Sequence, residues 1–559
     1  MKETKAQKTE RLKLEKNPWT ALHEIRSFAV NGRDKVLPEW VSLYFKWWGI
    51  YSQGDGLGAL GGIGGEGKAT EYFMMRVGIP NGRLNSTQLR AIAEISRQSG
   101  RNLADITVRQ SIQLHWLTIE DIPGAIDTLY AVGLSPKGAC GDVVRNVTGC
   151  PLAGVAENEM LDASPIAIAT ARLLAGNADF YNLPRKFKIS ITGCPLWCSY
   201  PEINDVALTP VRRGNDVGFS VRVGGGLSAD PHIAVRLDTF VQQHQAVDVV
   251  GATAEIFREQ QCLREHRERA RLKHLFLRQG WTKERFLDEL QARLPFRLEP
   301  GVPEQIPGDV HRDHVGVHRQ RQAALCYVGA AVLRGRLTGD QLTAAADLAE
   351  RYGTGTLNTT TMQNLLFLNI PKQNVETLVR ELADIQLRVE GSPFWRGAIT
   401  CTGTEFCKLA ITETKDYARW LVDELETRMP QFDQQLKLHI TGCPNSCGQH
   451  WIADVGLEGK RIKQDGALVD AYYFCVGGGV GKQAALARPV GFRCVATEVP
   501  DALERLLGNY LRERTWNEDL QGFLRRSSNE DIRAILAGQP LPAIERDVPQ
   551  ARVPAGVAE

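Results

Sequence analysis

Apolar residues recur along this chain with two alternating periods. NSTQLRAIAEISRQ (85–98) spaces them three and four apart behind an Asn/Ser start, the pattern of a capped amphipathic helix. PGAIDTLYAVG (123–133) and QNVETLVRELADIQ (373–386) show the same helical spacing. TVRQSIQLHWL (107–117) and GFSVRVGG (218–225) instead alternate and carry β-branched residues, so they predict strands. Helices and strands interspersed in this way predict an α+β fold. Glu255–Gln291 reads as a basic, helix-like stretch, followed by the Pro/Gly-rich connector PFRLEPGVPEQIPGD (295–309). A helical segment, Thr515 to Ile535, precedes LPAIERDVPQARVPAGVAE (541–559), which reads as disordered or draped.

The pattern also repeats. NGRLNSTQLRAIAEISRQSG from Asn81 matches RGRLTGDQLTAAADLAERYG from Arg334, pairing Gly82 with Gly335 and Gln88 with Gln341 at an offset of 253. Gln110 pairs with Gln363 and Gly224 with Gly477 at the same offset; Cys194 pairs with Cys443 and Asp205 with Asp454 at 249. Four matched blocks in one order mean an internal duplication, with halves at about 60–240 and 320–490. Two similar halves predict a ligand cleft between them.

Composition narrows the class. With 559 residues and a net charge of +2, the totals point to a globular protein with no nucleic-acid partner. MKETKAQKTERLKLEKNP lacks the apolar run of a secretory signal, and no stretch is apolar enough to span a bilayer. A cytoplasmic protein without membrane contact is expected, with a monomer as the starting assumption.

Twelve cysteines spread over a long chain argue against a disulfide framework. Two loop pairs stand out, CTGTEFC with Cys401 and Cys407, and CPNSC with Cys443 and Cys447. Four thiolates from two loops suit an iron–sulfur cube or zinc. The five-residue gap in the first pair fits zinc poorly. Gly403, Gly442 and Gly448 let backbone N–H groups approach sulfur. A [4Fe–4S] cluster is therefore the leading reading, with zinc and no metal as alternatives. In the first half Cys194 and Cys198 recur, but Cys150 stands where the second half has two cysteines. These three read as a degenerate copy, a labile second cluster being the alternative. Cys262, Cys326, Cys475 and Cys494 read as small buried hydrophobes.

CTGTEFC with TGCPNSC, NLPRKFK, GDVVRN, TVRQSIQLHW, and KWWGIY with YFMMRVGIPNG together resemble the sirohaem-containing sulfite/nitrite reductase family, over about residues 40–500. The likeness is greatest to its single-chain, ferredoxin-dependent bacterial members. It implies an internally duplicated fold: an N-terminal arm (1–60), a ferredoxin-like half-domain (61–133), a mixed α/β domain with the basic linker (134–300), a second half-domain (301–390), a second α/β domain with the cluster cysteines (391–510), and a C-terminal helix and tail (511–559). It implies that Cys401, Cys407, Cys443 and Cys447 ligate the cluster and that Cys447 also bridges to the sirohaem iron.

Sirohaem carries eight carboxylates and the substrate is an anion, so both call for fixed positive charge. By resemblance, Arg76, Arg145, Lys186 and Lys188 surround the substrate, and Arg109 binds a sirohaem carboxylate. Gln113 and His115 join the cofactor face, a core histidine being the equal alternative for His115. Asn146 gives support behind them, and Gln363 and Asn364 touch sirohaem from the second half. Tyr51 and Cys140 match positions that are covalently linked in some sulfite-reducing relatives; an aromatic core residue and an inert thiol are the equal alternative.

Two lysines in RKFK, where nitrite-specific relatives carry asparagine at the second, favour the dianion sulfite over nitrite. The expected reaction is six-electron reduction of sulfite to sulfide, with nitrite to ammonia as the alternative, fed by reduced ferredoxin. The basic stretch Arg264–Arg278 is the expected docking surface for that donor. GGIGGEGKAT (61–70) lacks the strand–turn–helix setting of a dinucleotide site. A tetrapyrrole-modifying enzyme, a simple electron carrier and a zinc-stabilised binding protein are the rival classes.

Overall fold

The computed structural model describes residues 3–60, 67–308 and 312–540. Most of GGIGGEGKAT and the whole 541–559 tail lie outside the described residues. No helix among the described residues is long and apolar enough to cross a membrane.

The duplication is visible as two pairs of matching sheets. One ferredoxin-like sheet runs in the order Ile50–Gly54, Ala69–Val77, Ile112–Leu117, Ala104–Ile106, Arg336–Leu337. Its counterpart runs Gly316–Arg319, Leu325–Ala330, Leu365–Pro371, Thr356–Thr359, Arg83–Asn85. Each sheet's last strand comes from the other half: Leu337 pairs with Ala104, and Leu84 with Leu357. This reciprocal exchange makes the two units one body with one continuous core. Ile92, Leu114 and Ile126 share that core with Leu342, Phe367 and Leu378.

The sequence explains the helices over these sheets. Asn85 caps Ser86–Ser99 and Thr338 caps Gly339–Tyr352, each through a capping box with the glutamine three residues on, Gln88 and Gln341. Each box satisfies two backbone donors that the first helical turn leaves open.

The other two sheets carry the chemistry. The first-half sheet runs Thr148–Gly149, Ile189–Ile191, Val206–Arg213, Asp216–Val223, Val235–Val241, Glu299–Pro300. The second-half sheet runs Ala398–Thr400, Leu438–Thr441, Val455–Gln464, Ala467–Val476, Arg488–Val495. In both, the first three strands are parallel and the rest antiparallel. Each sheet has its own apolar core.

Two glutamines lock the two-fold seam. Gln110 and Gln363 both sit at positive φ, 57° and 64°. Gln110 donates across the seam to the Thr359 carbonyl (3.0 Å) and accepts from the Gly149 N–H (2.9 Å). Gln363 donates to the Ile106 carbonyl (2.9 Å) and accepts from the Thr400 N–H (3.0 Å). Each side chain thus ties the other half's ferredoxin-like sheet to the edge strand of its own α/β sheet.

The basic linker differs from the expectation. Residues 255–291 form no continuous helix: the helix Ala246–Glu259 is followed by short turns, His274–Arg278 and Lys283–Gln291. Several of its cations face inward. Arg264 pairs with Glu10 (2.5 Å), Arg267 with Asp142 (2.6 Å) and Arg271 with Asp205 (2.7 Å), while the Lys273 ammonium donates to the Leu227 carbonyl (2.8 Å). Acidic partners on three separate segments draw these side chains in, and no single exposed helix face can present them. The basic docking helix is therefore corrected to a buried clamp that also holds the N-terminal helix Lys5–Glu15.

Candidate active site

The four second-half cysteines follow two adjacent parallel strands. Cys401 comes directly after Ala398–Thr400, and Cys443 after Leu438–Thr441. The Gly442 N–H donates to Cys401 Sγ (3.2 Å), and Cys401 also receives the Gly403 N–H. Leu409 and Ala410 donate backbone N–H groups to Cys407, and Asn445 to Cys443. Gly403 is held at φ +67° with its Cα against Thr414, where a Cβ would meet the Thr414 nitrogen at 2.6 Å. Only glycine fits there.

The four thiols feel one another's charge. Burial, then Cys447 and Cys401, push Cys407 up to about 12; burial and Cys447 raise Cys401, and burial with the other three thiols raises Cys443. Protonated thiols are thus preferred unless a cation neutralises the group, which is what thiolate ligation by iron does. Among the described residues no three of these four thiols crowd within 4.8 Å, the limit that the first-half trio Cys150, Cys194 and Cys198 meets. The wider spacing and the N–H donors fit a multi-iron cluster better than one ion.

Opposite lie the cations. Arg76, Arg109, Arg145, Lys186 and Lys188 lie deep inside the protein, though none is completely closed off from solvent. Together they form a cationic wall. Arg76 Nη1 and Arg145 Nε share the Ala139 carbonyl, at 3.2 and 2.8 Å. Arg76 also donates to Cys140 Sγ at 3.0 Å. Their remaining N–H groups have no protein acceptor among the described residues. Neither does the ammonium of Lys186 or Lys188. Both lysines lie in the extended segment that leads into Ile189–Ile191, with Phe187 between them bridged to Val144. Arg185 turns away and pairs with Asp142.

Burial and crowding depress four of these groups, while Arg76 is raised by Cys140, Tyr51 and Cys447 in spite of its burial. Burial, with Arg271, Arg185 and Arg145 nearby, pushes Lys186 down to about 7 even though Cys447 opposes the shift. Burial, Arg271 and Lys186 hold Lys188 well below its ordinary value. Arg109 is pushed down to about 9 by burial and Arg145. It donates to the Asn146 and Ile189 carbonyls (2.7 and 3.1 Å) and to Asn204 Oδ1 (2.9 Å), while its Nε has no partner. Buried cations without counter-ions are costly and point to an absent anion. A tetrapyrrole polycarboxylate and a small oxyanion fit this wall. Cys447 acts on both sets: its charge is felt by the other cluster thiols and by Arg76, Arg145 and Lys186.

Other expected residues are placed as follows. Gln113 sits opposite Arg76 in the sheet and so shares its face. Asn146 donates to the Ile79 and Arg109 carbonyls, both at 2.8 Å, behind the cationic wall. His115 is fully buried, stacked on Phe406 at 3.8 Å with Nε2 3.3 Å from Asp105, contacts that belong to the core-histidine alternative. The amide of Gln363 is taken up by the seam, and that of Asn364 by the Val332 N–H and the Asp313 carbonyl. Tyr51 lies beside Cys140, Arg76 and Arg145, and burial raises its phenol.

Three supports escaped the sequence reading. Buried Asp205 accepts the Lys188 N–H (2.8 Å) and pairs with Arg271, fixing the lysine segment. Its repeat partner Asp454 accepts the Lys437 N–H (2.7 Å), so the Asp205/Asp454 match was the available signal. Asp105 joins Arg336 (3.0 Å) to His115 beneath the cluster loop, and Lys46, pushed down to about 8 chiefly by burial, stands 5.7 Å from the Tyr51 ring.

Comparison with known proteins agrees with this geometry. The nitrite and sulphite reductase 4Fe-4S domain matches residues 140–298 and 392–539. The nitrite/sulfite reductase ferredoxin-like half domain matches 66–132 and 318–385. The assimilatory ferredoxin-dependent nitrite reductase of Haloferax mediterranei is 37% identical over 91% of this chain and 90% of its own length. Sulfite reductase [ferredoxin] 2 of Mycolicibacterium paratuberculosis is 35% identical over 90% and 92%. The structure of the Mycobacterium tuberculosis NirA protein superposes with a TM-score of 0.89 at 34% identity, covering 94% of this chain and 97% of that one. The chain belongs to the sirohaem/[4Fe–4S] nitrite and sulfite reductase family.

Proposed function

We propose that this protein reduces nitrite to ammonia with electrons from reduced ferredoxin, and that sulfite is its second substrate. The observation that carries the reading is one group of buried cations, Arg76, Arg145, Lys186 and Lys188, with Cys447 acting electrostatically on three of them and on the other cluster thiols. Sirohaem and a [4Fe–4S] cluster, when bound, supply the electron path and the binding atom for the substrate; the protein supplies position and charge. Cys401, Cys407, Cys443 and Cys447 would hold the cluster, and Arg109 with Gln113 would face the tetrapyrrole carboxylates.

The chain's own residues then have distinct tasks. Arg76 and Arg145, anchored on one carbonyl, aim their free N–H groups at the substrate oxygens. Lys186, poised near neutral pH, is suited to hand a proton to a departing oxygen and be recharged from water. Asn146 and Asp205 hold the strand approaches that carry these cations.

Nitrite comes first for one reason. The Haloferax relative is named a nitrite reductase. Sulfite keeps its place because Lys188 stands where asparagine marks nitrite-specific relatives. Anaerobic steady-state assays with reduced ferredoxin and each anion test the order. A kcat/KM for nitrite above that for sulfite is expected; the reverse ratio sinks it.

A further inference from the structure

The first half keeps three of the four thiol positions, and they converge. Cys150, Cys194 and Cys198 are buried, with all three Sγ atoms within 4.8 Å of one another and Cys198 Sγ 3.6 Å from Cys150 Sγ. They occupy the places of the cluster ligands. Cys150 follows Thr148–Gly149 as Cys401 follows Ala398–Thr400, and Cys194 follows Ile189–Ile191 as Cys443 follows Leu438–Thr441. The turn between the last two thiols is also copied: Trp197 has φ 51° and Ser446 φ 53°. The counterpart of Cys407 is Ala156.

The spacing excludes a copy of the cube. Four ligands at about 2.3 Å around one tetrahedral zinc stand about 3.8 Å apart, and the trio is already near that separation. Tyr327, Leu366 and Leu368 belong to the same buried cluster as the three cysteines, and Tyr327 feels the charge of all three. The Leu196 N–H donates to Cys194 Sγ, and Cys150 and Cys198 also share hydrogen bonds with it, which favours a thiolate there. A fourth donor lies in the same region, beyond the 4.8 Å spacing of the three sulfurs, so its ring must turn inward to ligate. His314 is 8% exposed, its Nε2 has no hydrogen-bond partner, and it lies close enough to Cys194 for each to act on the other's charge. Burial keeps its imidazole neutral, the form that ligates.

We propose that Cys150, Cys194 and Cys198, with His314 as fourth donor, form a mononuclear site for zinc. Binding displaces the thiol protons to solvent and changes no oxidation state. The ion ties the ends of Thr148–Gly149 and Ile189–Ile191, whose approaches carry Arg145, Lys186 and Lys188. It also tethers them to the second half through His314.

The test uses the full chain with its cofactors, purified under reducing conditions and exposed to ZnCl2, then washed. Metal analysis is expected to give one zinc per chain, and zinc-edge X-ray absorption three sulfurs at about 2.3 Å and one nitrogen. Cys194→Ser should lose the zinc while keeping iron content and the cluster spectrum. His314→Ala should keep the sulfur shell, lose the nitrogen and bind zinc about 10- to 100-fold more weakly. Absence of zinc in the wild-type chain overturns the proposal. So does extra iron with labile sulfide that disappears in Cys194→Ser, which would make the trio a second cluster. If Cys194→Ser does not fold, the wild-type zinc count and its sulfur shell decide alone.

Discussion

The two α/β sheets have the same strand order and the same thiol-bearing turns, yet they divide the chemistry. The second half puts four sulfurs at its strand ends, spaced widely and fed with backbone N–H groups. The first half puts three sulfurs there, closely spaced under an apolar cover, and lines the approach to its strands with Arg145, Lys186 and Lys188. Duplication preserved the backbone; in the proposed function a few side chains then give electron storage to one half and anion binding to the other. The two halves are joined by the seam hydrogen bonds of Gln110 and Gln363.

The sharpest way to break this comparison is to remove one sulfur from the second half. Cys443→Ser should lower iron content and take anion reduction to the assay background. A serine variant that retains iron and turnover would place the electron path elsewhere. On the first-half side, Arg145→Ala removes a guanidinium anchored on Ala139. It should cost about 10²- to 10³-fold in kcat, the usual scale for one oxyanion donor, with a cluster spectrum unchanged. Equal loss of iron in both variants would mean that the division of labour is not real.

The seam gives a smaller, symmetric effect. Gln110→Ala and Gln363→Ala each leave a buried N–H and a buried carbonyl without a partner. Each should destabilise by about 2–4 kcal/mol in urea unfolding. Gln110 also donates to the Asn81 carbonyl at 3.3 Å, so its replacement should cost the same or slightly more; a clearly larger loss at Gln363 would break the symmetry.

The sequence read this architecture well where chemistry repeats in order. Glycines, glutamines, cysteines and aspartates at offsets of 253 and 249 mark positions fixed by tight turns or by side-chain bonds, as the seam hydrogen bonds of Gln110 and Gln363 show. The reciprocal strand exchange was not legible, because Arg83–Asn85 and Arg336–Leu337 are too short to carry a period. The linker was misread for a related reason: Arg264, Arg267 and Arg271 look like a solvated helix face, and only their distant partners Glu10, Asp142 and Asp205 turn them inward. The cysteine trio reads from sequence as a degenerate copy or a labile second cluster, and spacing along the chain does not report that Cys150 and Cys198 lie 3.6 Å apart.

The finest difference between the halves lies in proton binding. Lys186 sits at about 7 in the folded, cofactor-free protein, against 10.5 as its ordinary value. Between those limits the unfolded chain carries the proton and the folded chain does not. Stability therefore rises with pH across that window, by at most about 1.4 kcal/mol per pH unit for one full proton. Below pH about 7 the slope from this group vanishes, since both states are protonated. Lys186→Met should flatten the rise in urea midpoint between pH 7.5 and 9.5 in cofactor-free protein. Binding of an anion beside Lys186 favours its charged form, so loading the cofactor should flatten the wild-type curve as well. An unchanged wild-type slope on loading would mean that the anion does not lie against this lysine.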